Sequence, residues 1–336
     1  MPEERSCLSK FQMTSQIANQ SFLVTGGAGF IGSHLVAELL KLGAGKVRVL
    51  DNFATGSKNN VQPFLDHPAF ELIEGDIRNP ETCGLACLGV EYVFHQAALG
   101  SVPRSISDPI QTHEVNCTGF VNMLLAAKDE RVKRFVFASS SSVYGDSKVL
   151  PMKEEDVGNL LSPYAVSKYS NELYAQVFSH QFGIQTIGLR YFNVFGPNQD
   201  PGGTYAAVIP KFIKAVINNE KIFIDGDGNQ SRDFTYVENV VNANLKAMLT
   251  ENPDAINTIF NIAVGESYSV NYLLELLCKI EGIQIIPEYR ESRKGDIRNS
   301  MADISKAERL LGYQPTVRFE EGLRRTWEWG RWREGL

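Results

Sequence analysis

No stretch of this 336-residue chain approaches the roughly 18 consecutive apolar residues of a membrane-spanning helix. The opening residues, MPEERSCLSKFQMTSQIANQ, lack the short apolar core of a secretory signal. Cysteine is scarce. Cys7, Cys83, Cys87, Cys117 and Cys278 have no zinc-ligand spacing, and an odd number fits poorly with a disulfide framework. Cys83 and Cys87 stand one helical turn apart and can both face inward, so the cysteines are read as structural. Positive charge is not in excess either: a formal net charge of −6 argues against nucleic acid as the main partner. A few local arginines can still hold an anionic small molecule. No internal repeat is visible. These absences point to a soluble protein of a reducing compartment, expected in the cytoplasm, with no metal site and no membrane partner.

What is present is an ordinary globular composition, 43% hydrophobic and 21% charged, in a chain long enough for two domains. The runs SFLVTGG, KVRVLDN, FELIEGD, EYVFHQAA, RFVFASS and IQTIGLRYF read as strands. Between them, IGSHLVAELLKLG, GFVNMLLAAKDE and ELYAQVFSHQFG carry apolar residues at helical spacing. Such alternation makes βαβ units, hence an α/β fold: a doubly wound, mostly parallel sheet with helices on both faces. FLV, VRVL and RFVF are nearly continuous apolar runs, as strands covered on both sides require. After about residue 195 the rhythm loosens into Gly- and Asn-rich loops. These are punctuated by a helix-like AAVIPKFIKAVINN, a short strand KIFI, a strand NTIFNIAVG, and helical patterns near 270–281, 303–311 and 320–332. We expect an arm over 1–20 and a first domain over 21–195, to which 234–263 returns. A smaller interleaved α/β domain would comprise 196–233 and 264–336.

FLVTGGAGFIGSHL holds Gly27, Gly29 and Gly32 at G-x-G-x-x-G spacing, and equally Gly26, Gly29 and Gly32 at intervals of three. The pattern follows the first strand and opens the first helix, the context that makes it informative. A tight turn there needs positive φ, a pyrophosphate needs bare backbone, and the helix N-terminus offers unpaired N–H groups to phosphate. Asp51 ends the second strand about twenty residues further on, where a carboxylate accepts from ribose hydroxyls and repels a 2′-phosphate. That favours NAD over NADP. Asp76, in EGDIR, stands where a carboxylate can meet the adenine amino group.

LSPYAVSKYS puts Tyr164 and Lys168 four apart, on one face of a helix. Ser162 as N-cap and Pro163 in the first turn start that helix well, leaving Tyr164 near its positive end. A neighbouring ammonium and a positive nicotinamide ring lower a phenol's pKa further, so this tyrosine can act as a base near neutral pH. Alone, Tyr-x-x-x-Lys recurs by chance on surface helices. After a dinucleotide turn and the serine-bearing strand FASSSSVYG, it carries weight.

TGGAGFIG, HQAA, SSSSVYG, YAVSK and RYFNVFGP, in this order, resemble the extended short-chain dehydrogenase/reductases acting on nucleotide sugars. The resemblance covers nearly the whole chain from about residue 21, and implies a Rossmann-type domain with bound NAD. It implies Tyr164 as catalytic base, Lys168 on the nicotinamide ribose, and Ser140, with Ser141 close behind, on the substrate hydroxyl. The cofactor shell it implies comprises Gly26, Gly29, Phe30, Ile31, Gly32, Asp51, Asn52, Asp76, Ile77, Gln96, Ala97, Ala98 and Asn116, besides Tyr164 and Lys168. Relatives that dehydrate or decarboxylate a sugar carry an acid just before Val-Tyr-Gly. Here that position is Ser142, which leaves oxidation at one carbon and return of the hydride, that is, 4-epimerisation through a bound 4-keto sugar.

The resemblance further implies a grip on uridine diphosphate by Asn193, Arg232 and Arg293, with Val208 and Lys211 of AVIPKF and Phe223 of KIFI around the uracil. Gly100, Ser101 and Asp296 complete the implied substrate set. Ser300 falls where epimerases that reject N-acetyl sugars carry tyrosine, so the motifs look closest to UDP-N-acetylglucosamine 4-epimerases, including relatives that act on the uronic acid form. UDP-glucuronate 4-epimerase, with Arg104 as cationic partner, and UDP-glucose 4-epimerase remain alternatives. So does an NAD-sensing binding module, which would be expected to lack Tyr164 or Lys168. Relatives dimerise through two helices per subunit, here around 109–128 and 163–181, so a homodimer is expected.

Overall fold

The computed structural model describes residues 13–201, 207–292 and 298–333. Seven strands lie in one parallel sheet: β1 (Ser21–Thr25), β2 (Lys46–Asp51), β3 (Phe70–Glu74), β4 (Tyr92–His95), β5 (Arg134–Ser140), β6 (Thr186–Tyr191) and β7 (Thr258–Ile262). Their order is β7-β6-β5-β4-β1-β2-β3. The winding therefore reverses between β1 and β4, with Val24 of β1 paired to Val49 on one side and Phe94 on the other. In open α/β sheets, ligands bind beyond the carboxyl ends of the strands at such a reversal. Every residue of β6 is buried, as are five of the six in β2, the signature of strands covered on both faces.

The helices are α1 (Phe30–Lys41), α2 (Pro80–Cys87), α3 (Val102–Ser107), α4 (Pro109–His113), α5 (Gly119–Asp129), α6 (Pro163–Phe182), α7 (Val208–Ile217), α8 (Val237–Leu249), α9 (Val270–Glu281), α10 (Ser305–Leu311) and α11 (Phe319–Arg333). No described helix is long and apolar enough to cross a membrane. The chain divides into two compact units. The first comprises Met1–Ser139, Ser162–Leu189 and Val241–Ile259; the second comprises Ser140–Leu161, Arg190–Val240 and Phe260–Leu336.

In the first unit, Phe120 packs edge-on against Phe135 and Phe137, with ring centroids 5.8 and 5.2 Å apart. Cys83 and Cys87 are fully buried in the same core, both facing inward as their spacing suggested. Residues 13–17 are helical, Ile17 is fully buried, and Gln20 O accepts from Gly45 N and Lys46 N. The described end of the arm is therefore seated on the loop that feeds β2.

In the second unit, Val194–Phe195 pairs with Thr235–Tyr236, Ser231–Arg232 with Tyr268–Ser269, and Phe223–Asp225 with Glu288–Arg290. Phe319 stacks on Phe234 and Tyr268 at 5.1 and 4.7 Å. Residues 140–161, which strand–helix alternation assigned to the first domain, fold instead with this unit. Tyr144 Oη donates to Asn261 Oδ1, and Asn261 Nδ2 donates to Met152 O. Met152 N in turn bonds Met301 O at 2.8 Å. Long-range polar pairing of this kind leaves no periodic trace in the sequence.

Candidate active site

The glycine turn is dictated by space. Gly26 has φ +67°, and a Cβ there would lie 2.8 Å from Ala97 N. At Gly32 a Cβ would come within 2.1 Å of Gly26 O, so the helix could not approach the turn. Gly29 is the N-cap of α1 and supplies no side-chain cap, leaving the first-turn amides of Phe30 and Ile31 available to an anion. Asp51, nearly buried at the end of β2, is fixed by two backbone donors: Ala28 N to Oδ2 at 2.9 Å and Phe53 N to Oδ1 at 2.8 Å. Burial pushes its pKa up, against those two hydrogen bonds. Cradle and carboxylate together fit a dinucleotide: bare backbone for the pyrophosphate and an acceptor for the ribose.

Asn52 and Asp76 are brought together, Asn52 Nδ2 donating to Asp76 Oδ2 at 2.8 Å. Arg78, which sequence reasoning passed over, also grips that carboxylate and holds Asp76 down at about 2. Ile77 fills the space over Gly119, where a Cβ would be 2.6 Å from its side chain. Beyond β4, Gln96 N and Ala97 N donate to Thr25 O and Thr25 Oγ1 at 3.1 and 3.3 Å. Ala98 follows, half-buried. Gly100 is exposed, and Ser101 caps α3 by accepting from Arg104 N at 3.2 Å.

Helix α6 begins as its sequence dictates, with Ser162 Oγ accepting from Ala165 N at 3.1 Å and Pro163 in the first turn. Tyr164 is half-buried one residue on. Lys168 is 3% exposed, and its ammonium donates to Ala138 O of β5 at 2.9 Å. Burial pushes Lys168 down to about 8. Asn116, expected on the cofactor side, spends its amide within the protein. Its Oδ1 accepts from Leu99 N at 2.8 Å, and its Nδ2 donates to Leu99 O and to Ser167 Oγ at 3.2 and 3.0 Å. It lies in a π-turn, Glu114–Thr118, and ties the loop after β4 to α6. Sequence reasoning missed Glu172, a carboxylate only 6% exposed that accepts from Ser139 Oγ. The signal was available: Glu172 follows Lys168 by the same four residues that separate Lys168 from Tyr164.

In the second unit, Ser140 ends β5 and its Oγ accepts from Ser142 N at 3.2 Å, starting a 3₁₀ turn over Ser141–Tyr144. Gly145 closes the turn with φ +56°, and a Cβ there would lie 1.9 Å from Asn159 O. The buried hydroxyl of Ser142 has no hydrogen-bond partner among the described residues. Asn193, at φ +34°, donates from Nδ2 to Asp233 O at 3.2 Å and to Ser300 Oγ at 3.3 Å. Ser300 is 6% exposed, and its N–H bonds Ser231 O at 3.1 Å. Asp233, also unforeseen, is fully buried and accepts from Val264 N, Gly265 N and Ala302 N at 3.0, 3.0 and 3.2 Å. It thereby clamps the segment that carries Ser300.

Arg232 donates to Ser231 O at 2.9 Å, while Val208 and Lys211 share the first turn of α7. Phe223 lies under the Arg290 guanidinium, 3.4 Å from ring centroid to carbon. Arg293 and Asp296 lie outside the described residues.

Comparison with known proteins places this geometry. A family model described as the NAD dependent epimerase/dehydratase family matches residues 22–263. A UDP-glucose 4-epimerase of Mycolicibacterium smegmatis is 36% identical over 311 residues, 92% of this chain and 98% of that protein. A UDP-N-acetylglucosamine 4-epimerase of Methanobrevibacter ruminantium, solved with UDP-N-acetylmuramic acid, is 38% identical with a TM-score of 0.89, covering 95% of this chain and all of that one (100%). A UDP-glucose 4-epimerase of Thermotoga maritima, solved with UDP-glucose, is also 38% identical, with a TM-score of 0.87 and coverage of 93% and 99%. This chain, with its glycine turn that only bare backbone can form, an acid fixed at the end of β2 and a Tyr–Lys pair at a capped helix start, belongs to the NAD dependent epimerase/dehydratase family.

Proposed function

We propose that this protein is a UDP-sugar 4-epimerase that interconverts UDP-GlcNAc and UDP-GalNAc through a 4-keto sugar, with NAD retained between turnovers. NAD, when bound, supplies the acceptor for the C4 hydride and gives it back. The rest is the work of the chain. The glycine turn and Asp51 hold the dinucleotide, with Asn52, Asp76, Gln96, Ala97 and Ala98 around it. Tyr164, as phenolate, takes the proton of the sugar 4-hydroxyl and returns it when the ketone is reduced. The Lys168 ammonium stabilises that phenolate, and Ser140 orients the reacting oxygen. Asn193, Arg232 and Arg293 would grip the diphosphate, with Val208, Lys211 and Phe223 about the uracil.

The observation that carries the reaction type is Ser142, a hydroxyl where a dehydratase or decarboxylase needs an acid. The feature that carries the sugar preference is Ser300, a small side chain hydrogen-bonded by Asn193 where epimerases that reject N-acetyl sugars carry tyrosine. UDP-glucose 4-epimerases among the relatives favour a second reading, the plain hexose. Purified protein given UDP-GlcNAc, UDP-glucose and UDP-glucuronate in turn, without added NAD, separates these readings. Fastest epimerisation of UDP-GlcNAc is expected, and no turnover of any of the three would overturn the assignment.

A second copy of the chain is the proposed partner. Val102, Ile106, Ile110, Val166, Tyr174 and Val177 are large apolar side chains exposed on α3, α4 and α6, three helices that pack on one another. Sedimentation of Val177→Glu against the parent tests it: a dimer that becomes a monomer supports the assignment, and a parent that sediments as a monomer refutes it.

A further inference from the structure

We propose that Glu172 is the buried counter-charge of Lys168, a positioning residue that sets the pH range over which the Tyr164–Lys168 pair works. The inference rests on the reading of that pair given above. Tyr164, Lys168 and Glu172 succeed one another at intervals of four along α6, which puts all three on one helix face. Lys168 and Glu172 are 3% and 6% exposed, so neither charge is relieved by water. Both are keyed to adjacent residues of the same strand: Lys168 Nζ donates to Ala138 O, and Ser139 Oγ donates to Glu172 Oε1. Helix and strand are therefore locked in register by one cation and one carboxylate.

Among the described residues, two other titratable groups are coupled to Lys168, His95 and Cys117. From β4 comes His95, 1% exposed and held down at about 3, hence a neutral imidazole. From the π-turn comes Cys117, whose thiol is pushed up by burial against the pull of the Lys168 charge. From β5 come only the Ala138 carbonyl and the Ser139 hydroxyl, and from α6 the phenol of Tyr164. Glu172 is the carboxylate of this cluster, one turn of α6 beyond Lys168. Against the lowering by burial, the coupling to Cys117 and then to Glu172 raises the pKa of Lys168. A protonated Lys168 favours the Tyr164 phenolate; a neutral one does not. Glu172 therefore acts on the reaction through Lys168 without touching substrate.

Two variants separate this role from simple packing. Glu172→Gln keeps the size and an acceptor for Ser139 but removes the charge; Glu172→Asp keeps the charge and shortens the side chain. If the charge matters, the alkaline limb of the epimerisation pH profile falls by about one pH unit in Glu172→Gln and stays near the parent in Glu172→Asp. If packing alone matters, Gln leaves the limb in place and Asp is the more damaging change, which would overturn the proposal.

A second readout is independent of any substrate. In urea denaturation at pH 7, Glu172→Gln alone leaves an unbalanced buried ammonium, and adding Lys168→Met should restore part of the lost midpoint. Losses that simply add would refute the pairing even where Glu172→Gln is too unstable to assay. If no UDP-sugar is turned over by the parent, the 4-epimerase reading fails, while this cycle still decides the pairing of Glu172 with Lys168.

Discussion

The ammonium of Lys168 is held at 2.9 Å by the carbonyl oxygen of Ala138, two residues before Ser140 on the same strand. The bond ties α6 to β5 one helical turn after Tyr164. It also takes up one of the three N–H donors of the ammonium.

Tyr164→Phe should fold as the parent does, because the ring is retained and the N-cap Ser162–Ala165 is untouched. Its kcat should fall by about 10²- to 10⁴-fold, the usual cost of losing a positioned acid–base group. Retention of full activity would remove Tyr164 from the mechanism altogether. Steady-state rates at matched NAD content make the comparison.

Ser300→Tyr puts an aromatic ring beside Asn193, at a side chain that is now 6% exposed. The ratio of kcat/KM for UDP-GalNAc over UDP-galactose should drop by at least about tenfold, roughly the 1.4 kcal/mol of a modest steric clash in a pocket. An unchanged ratio would show that the acetamido group is accommodated elsewhere.

Gly32→Ala forces a methyl to within 2.1 Å of Gly26 O, a backbone atom with nowhere to go. The turn must open, at a cost of about 1–3 kcal/mol typical of overpacking. The variant should be purified with markedly less bound NAD, as read by acid release and enzymatic assay of the nucleotide. Parent-like NAD content in a stable Gly32→Ala protein would argue that the turn does not cradle the pyrophosphate.

His95 makes a pH prediction. It is fully enclosed and its pKa is lowered, chiefly by burial and then by the Lys168 charge, from 6.5 to about 3. Between those values the unfolded chain binds a proton that the fold refuses, so stability falls as pH drops from about 6.5 toward 3. His95→Gln, though less stable at pH 8, should lose less of its remaining stability over that window. Parallel slopes in urea midpoints measured at pH 7, 6 and 5 would count against the assignment.

Local signals carried a great deal. The β-rich runs and helical spacings were legible because strands buried on both faces must be continuously apolar and amphipathic helices must repeat every 3.6 residues. The glycine turn, the end of β2 at Asp51 and the Ser162–Pro163 helix start were legible because each depends on a few neighbouring residues. Helices expected near 270–281, 303–311 and 320–332 are observed at Val270–Glu281, Ser305–Leu311 and Phe319–Arg333. NAD dependence was legible for the same reason, and the family match bears it out.

Short-range sterics and periodicity were thus enough to specify the fold class and the NAD site, and to put Tyr164 and Lys168 on one face of a helix. How distant side chains share their hydrogen bonds emerges only in the packed chain. Asn116 turned out to spend its amide on Leu99 and Ser167, and Asp76 to be gripped by Arg78 and Asn52. Residues 140–161 went to the second unit because Tyr144 and Met152 find Asn261, more than a hundred residues away in the chain. Glu172 acquired its significance from Ser139, a partner 33 residues earlier. Burial and pairing are properties of the packed chain, and a buried carboxylate reads in sequence like any surface acid until its neighbours are known.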